Sequence, residues 1–155
     1  FALKDTTTNV GNVMKFLLKT KGPYDILEES KENVAIHKRF SQIEKKYIRL
    51  LERAKAATNE SEKLLFFRYG GDLSISGELS NELGYIFPDK VIVIMKVAGV
   101  TATFSARAKN IREIVLKAIE NIPDARSGGH EDAIGGKIKT EDVEKFKENL
   151  EKLIG

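Results

Sequence analysis

Val91-Ile92-Val93-Ile94-Met95-Lys96-Val97 is the most β-branched run in the chain. Branched side chains pack well on a pleated surface, so this run reads as a central strand. Pro88-Asp89 makes the turn into it, and Ala98-Gly99 turns out of it. Thr101-Ala102-Thr103-Phe104-Ser105-Ala106-Arg107 then alternates as a half-exposed strand does, and the two runs are expected to form a hairpin. Upstream, Leu64-Leu65-Phe66-Phe67-Arg68-Tyr69 reads as a buried strand closed by Gly70-Gly71-Asp72. Between them, Ile75, Leu79 and Leu83 share one face of a helix over about 74–83, with Gly84 as its C-cap.

Downstream, Ile111, Ile114, Val115, Ala118, Ile119 and Ile122 mark a helix that ends at Pro123. A glycine-rich loop follows, then a short strand over about 134–138. Thr140-Glu141-Asp142-Val143 caps a last helix, whose apolar positions are Val143, Phe146, Leu150, Leu153 and Ile154. The order β-α-β-β-α-β-α predicts an α/β fold with a mixed β-sheet flanked by helices.

Ahead of this compact part lies a helical stretch, 1–61. The polar run Asp5-Thr6-Thr7-Thr8-Asn9 precedes Val10, Val13, Met14, Leu17 and Leu18, an amphipathic helix with Thr8 or Asn9 as cap and Gly22-Pro23 as stop. A long helix over about 31–57 follows, with a seam of Val34, Phe40, Ile43, Tyr47, Leu50 and Ala54. It reads either as a connector between domains or as a partner helix in a dimer or coiled coil. Its basic residues, including Lys38, Arg39, Lys45, Lys46, Arg49 and Arg53, read as solvated surface before a nucleic-acid track, and His37 as an ordinary surface residue.

The whole is 155 residues with 41% hydrophobic and 32% charged content, the balance of a globular chain and not of a disordered one. No apolar run approaches the roughly 20 residues of a membrane span, so no membrane partner is expected. Without cysteine there is neither a disulfide framework nor a thiolate metal site, which fits a reducing cytoplasmic interior. One glutamine, two methionines and abundant Lys and Glu lean toward a thermophile. A net charge of +3 permits a phosphate or nucleic-acid partner without demanding one. The chain opens on Phe1 and not on methionine, so a longer parent is expected.

The chemistry concentrates in Ser127-Gly128-Gly129-His130-Glu131-Asp132-Ala133-Ile134-Gly135-Gly136. Gly-Gly on both sides of one imidazole suggests a loop shaped around an anion with His130 at its tip, although Gly-Gly-His alone fits a flexible surface loop equally well. Ser105 and Arg107 end a strand, while Asp72, Ser74, Ser76 and Gly77 lie around a strand-to-helix turn, where α/β sheets collect ligands. Arg107 offers a planar fork for phosphate, and His130 can donate to a phosphate oxygen. The plainer reading of Arg107 is a surface salt bridge. Glu131 and Asp132 are weaker candidates, since paired carboxylates beside glycines commonly just solvate a turn. Two histidines in all, with no Asp-His grouping, leave no cluster for a metal. No P-loop, nucleophile elbow or zinc spacing is present. Phe66, Phe67, Tyr69 and Phe104 read as core before stacking platforms.

These residues resemble the C-terminal, DHH-associated domain of the DHH phosphoesterase superfamily, in its RecJ-like single-strand exonuclease branch. The resemblance rests on Gly71-Asp72-Leu73-Ser74-Ile75-Ser76-Gly77-Glu78-Leu79-Ser80-Asn81-Glu82-Leu83, the Val91–Met95 strand, Phe104-Ser105-Ala106-Arg107 and the Gly-Gly-His-x-x-Ala-x-Gly stretch, and it covers about 62–155. It implies a substrate-binding domain over 62–155 and an interdomain connector over 1–61. Arg107 matches the arginine of the family's Ser-Gly-Arg-Ser pattern and His130 its Gly-Gly-His histidine, both on a substrate phosphate. Gly128 and Gly129 shape that contact, Ser105 stands beside it, and Gly77 matches a glycine early in the first helix.

Ala106 and Ala108 depart from the Ser-Gly-Arg-Ser pattern, and Gly70-Gly71-Asp72 from a His-Pro-Gly approach. The resemblance also implies that this chain binds no cofactor. A DHH domain in cis would hold manganese or magnesium, and this chain alone would hydrolyse nothing. The implied partner is single-stranded nucleic acid, DNA before RNA, with self-association through the long helix where its seam is exposed. The alternatives are a non-catalytic replication scaffold, an oligoribonuclease or dinucleotide phosphodiesterase, and an RNA-binding domain of the kind shared with alanyl-tRNA editing.

Overall fold

The structure, a computed structural model, describes residues 7–155. The chain divides into two units, Phe1–Arg49 and Leu50–Gly155.

In the first unit, α1 (Thr7–Leu17) is already helical at Thr7, so Thr8 and Asn9 lie in its first turn and do not precede it as caps. Residues 5 and 6 of the polar run fall outside the described residues. The helix stops well before Gly22-Pro23, where Thr20 Oγ1 donates to Leu17 O at 2.7 Å. A short helix that the periodicity did not announce, α2 (Tyr24–Leu27), follows Pro23. Asn33 ties this segment down. Its Nδ2 donates to Asp25 O and Glu28 O, while its Oδ1 accepts from Ser30 N at 2.7 Å.

The long helix is α3 (Val34–Ala56). Its buried stripe is Ile43, Tyr47, Leu51 and Ala54, whereas Val34 and Phe40 are substantially exposed. The expected seam therefore shifts by a residue at Leu51. His37 is more than plain surface, since its Nε2 lies 2.9 Å from Ile26 O.

The second unit is built on a five-stranded mixed sheet ordered β1-β2-β3-β5-β4. Its elements are β1 (Leu64–Gly70), α4 (Ser76–Ile86), β2 (Val91–Ala98), β3 (Thr101–Arg107), α5 (Ile111–Ile119), β4 (Arg126–His130), β5 (Ala133–Lys139) and α6 (Val143–Ile154). β1 and β2 run parallel, joined through α4, and every other pairing is antiparallel.

Three expectations need correction. Gly84 is helical and not a cap, because α4 runs on to Ile86. Thr140–Asp142 form a 3₁₀ turn with no side-chain cap bond, and not a capping box. The glycine-rich stretch is no loop either: residues 126–130 are a fifth strand, making the order β-α-β-β-α-β-β-α.

The core fills one face of the sheet. Val93, Met95, Ala102, Phe104, Ala106, Ile134 and Ile138 pack there against Ile111, Val115 and Ala118 of α5 and Val143, Phe146 and Leu150 of α6. The Phe146 ring stacks on Phe104 at 4.8 Å and meets Phe66 edge-on at 6.4 Å. On the opposite face, α4 lies over β2 and β3, burying Ile75, Leu79 and Leu83. Arg53, in the last turns of α3, sits 5.8 Å from the Phe67 ring. Phe67, Tyr69 and Phe104 are buried and Phe66 packs on the core, so none of the four is a stacking platform.

A candidate phosphate-binding sheet face

Register decides what the second face of the sheet presents. Arg107 of β3 pairs with Ala133 of β5, and Ala133 pairs with His130 of β4. Directly opposed residues in antiparallel strands project to the same side. Arg107 and His130 therefore stand on one row and one face, two strand spacings or about 10 Å apart. Ser105, Gly135 and Gly128 form the next row, and Thr103, Lys137 and Arg126 the one beyond. Lys139 closes the series opposite Thr101. On β5 and β4, Lys137, Lys139, Arg126, Gly128 and His130 are all exposed.

The four glycines have two different reasons. A Cβ on Gly136 would press 2.6 Å from Arg126 O and into the Phe104 ring. One on Gly129 would lie 2.7 Å from Ile134 Cα. Those two are required by the packing of the sheet itself. Gly128 would meet nothing within 4 Å, and Gly135 only Phe104 O at 3.3 Å. Packing asks nothing of Gly128 and would press a Cβ on Gly135 only against Phe104 O, and both lie on the open face, leaving a bare floor between the basic rows. A bare backbone is what lets a ligand come close.

α4 supplies the wall. Ser76 Oγ and Ser105 Oγ are 3.2 Å apart, and a Cβ on Gly77 would lie 3.9 Å from Ser105 Oγ. One helical turn further, Asn81 Oδ1 accepts from Arg107 Nε at 2.7 Å, while Arg107 Nη1 donates to Ala106 O at 2.8 Å. Partial burial lowers the guanidinium below its ordinary value, but an arginine remains charged under any working condition. Asn81 is a residue that sequence reasoning passed over. It stood in the family-like stretch, but nothing in the spacing tied it to Arg107.

Arg107 and His130 share a row but line separate hollows. Arg107 sits in one of about 730 Å³ with Asn81, Gly84, Tyr85, Pro88 and Lys109. His130 sits in one of about 420 Å³ with Asn110, Arg112 and Glu113. The Glu131-Asp132 turn separates strand ends and anchors the hairpin to the start of α5. Asp132 Oδ1 accepts from Asn110 N at 2.8 Å, and Glu131 O from Arg112 N at 3.0 Å. At the far end of the face, a hollow of about 900 Å³ holds Arg126, Lys137 and Lys139. There Lys139 Nζ pairs with Asp124 at 3.0 Å, which holds the Asp124 carboxyl below its usual range. Asp72 and Ser74 lie ahead of α4, where Lys96 Nζ donates to Asp72 O at 3.3 Å. Among the described residues, no three His, Asp or Glu are grouped so as to hold a metal ion. No helix among them is long and apolar enough to cross a membrane.

A mixed five-stranded sheet flanked by helices, its far half a glycine-floored, cation-bordered open face, defines an α/β domain. The profile of the DHHA1 domain matches residues 61–155, and the chain belongs to that family. Among solved structures, it is similar to RecJ in complex with Mg2+ from Thermus thermophilus, at 13% identity and a TM-score of 0.70. That match covers 94% of this chain and 22% of the other. It is also similar to exonuclease RecJ bound to manganese, at 16% identity and a TM-score of 0.61, covering 92% of this chain and 35% of the other. At these identities the likeness is one of fold. The chain thus spans about a fifth to a third of these two structures. No curated protein matches it.

Proposed function

We propose that this chain is the nucleic-acid-binding part of a DHH-family phosphodiesterase, a RecJ-like exonuclease acting on single-stranded DNA. The observation that carries this reading is the row Arg107–Ala133–His130 standing beside the glycine floor of Gly135 and Gly128. The two RecJ structures of like fold, one with Mg2+ and one with manganese, support it. On this reading Arg107 grips a phosphate with its planar fork and His130, two strands across on β4, donates to the same group. Ser105 adds a hydroxyl, with the buried Ser76 hydroxyl 3.2 Å behind it, and the floor lets the sugar-phosphate chain lie against the sheet. From that row to Lys137 and Arg126 is four residues along β5, roughly 13 Å. An extended strand on this face therefore meets cations at both ends. Residues 1–61 serve as the connector to a metal-bearing DHH domain of the parent protein, which supplies the hydrolytic chemistry.

Fluorescence anisotropy with a labelled single-stranded oligonucleotide across a salt series tests it. Affinity should fall with salt as released counterions demand. Arg107→Ala and His130→Ala should each weaken binding, and the double variant should lose less than the sum because both grip one group. Incubation of the pure chain with the oligonucleotide and manganese should leave the strand intact. Salt-insensitive binding, fully additive losses, or chelator-sensitive cleavage by the pure chain would each overturn the corresponding part of the reading.

A further inference from the structure

The hollow beside Arg107 contains a feature that phosphate binding leaves unused. Tyr85 is 89% exposed, a large aromatic surface left in water at the end of α4. It follows Asn81 by four positions, and residues so spaced stand on one stripe of a helix. Asn81 on that stripe already reaches Arg107 Nε. Between them Gly84 faces β3, where a Cβ would lie 3.8 Å from Arg107 Cβ, an ordinary contact. Tyr85 therefore borders the same concavity as the guanidinium, along with Pro88 and Lys109. Its volume of about 730 Å³ falls within the range of ordinary small-molecule sites.

We propose that this hollow is a nucleobase site, in which Tyr85 stacks on the base attached to the phosphate held by Arg107. The inference rests on the phosphate reading above and adds to it what holds the base. Every base has a π-face, so a single exposed ring grips any sequence, as a sequence-tolerant single-strand binder requires. The charges suit that occupant. Arg107 and Lys109 present cations at the rim, while the carboxylate of Asp132, the acid that shares the hollow, accepts from Asn110 N.

The test compares a labelled single-stranded oligothymidylate with an abasic oligonucleotide of the same length. Tyr85→Ala should weaken oligothymidylate binding about tenfold, and Tyr85→Leu should do much the same. Tyr85→Phe should bind as the wild type does. The abasic strand should bind wild type and Tyr85→Ala alike, and Arg107→Ala should weaken both strands. Tyr85 is so exposed that none of its substitutions should disturb the fold, and thermal melts check this. If Tyr85→Ala binds oligothymidylate as tightly as the wild type while Arg107→Ala does not, the base site is wrong and the phosphate reading stands. A loss in Tyr85→Phe equal to that in Tyr85→Ala also overturns stacking. If Arg107→Ala leaves both strands equally bound, the phosphate reading falls, and this inference with it.

Discussion

Asn81 Oδ1 accepts a hydrogen bond from Arg107 Nε at 2.7 Å, so a side chain of α4 sets the direction of the arginine on the β3–β5–β4 row. Asn81→Ala should therefore lower oligonucleotide affinity about tenfold by freeing the guanidinium. Asn81 is exposed, so the melting temperature should hold. Asn81→Asp keeps the acceptor but adds a carboxylate that competes with phosphate for Arg107, and should bind less tightly still. Anisotropy beside thermal melts reads both, and wild-type affinity in the Ala variant would refute the positioning role.

The paired glycines should separate stability from binding. Gly136→Ala drives a methyl toward the Phe104 ring and Arg126 O, and overpacking of this kind costs about 1–3 kcal/mol. Gly128→Ala meets nothing and should melt with the wild type, yet bind oligonucleotide more weakly because its methyl fills the floor. Chemical denaturation and anisotropy on the same two proteins decide it. A destabilised Gly128→Ala would contradict the assignment.

Asp124 is the acid that tempers the basic end of the open face. Its bond to Lys139 holds its carboxyl below the ordinary 3.8, and Arg126 contributes in the same direction. A depressed carboxylate contributes its stabilisation above the unfolded value and loses it as pH falls through the lower folded one. The pair should therefore stay intact at every working pH and open only in strong acid. Asp124→Asn should strengthen oligonucleotide binding at low salt and steepen its salt dependence. Unchanged or weaker binding would remove Arg126 and Lys139 from the proposed path.

Tyr69 gives an alkaline signature. It is 5% exposed, and its hydroxyl accepts from Ile75 N at 2.9 Å just ahead of α4. Burial raises the phenol above its ordinary 10.0. With the folded value raised, the stabilisation is complete below 10.0 and is lost as pH climbs through the higher folded value. Denaturation midpoints taken from neutral pH to beyond 10 should decline at the alkaline end. Tyr69→Phe should flatten that decline. It should also cost about 1–3 kcal/mol at neutral pH, because Ile75 N–H loses its acceptor. A decline unchanged in the variant would assign the alkaline loss to other groups.

Most of the sheet was legible because its strands carry their own pattern. The branched run 91–97 and the alternation over 101–107 needed no partner to be recognised. β4 did not read as a strand, because Arg126-Ser127-Gly128-Gly129-His130 has no β-propensity to show. Pairing with β5 makes it a strand, and that pairing is a tertiary event. Gly84 likewise read as a stop, but α4 passes through it and runs on to Ile86. Arg107 and His130 were nameable as residue types beside glycines. That they share one row depends on their common partner Ala133, which only register reveals. Asn81 and Tyr85 had no signal beyond a spacing of four, which any helix offers many times.

The outermost position of β4 bears on how this chain behaves in a crowd. It has a strand on one side only, so a line of main-chain donors and acceptors faces outward. Such a line is where sheets of separate molecules join and precipitate. Here it is only five residues long, begins with a charged arginine, and bears no large apolar side chain to cement a mistaken pairing. The composition that leaves the sheet floor bare therefore also gives a second strand little side-chain surface to hold it at this edge.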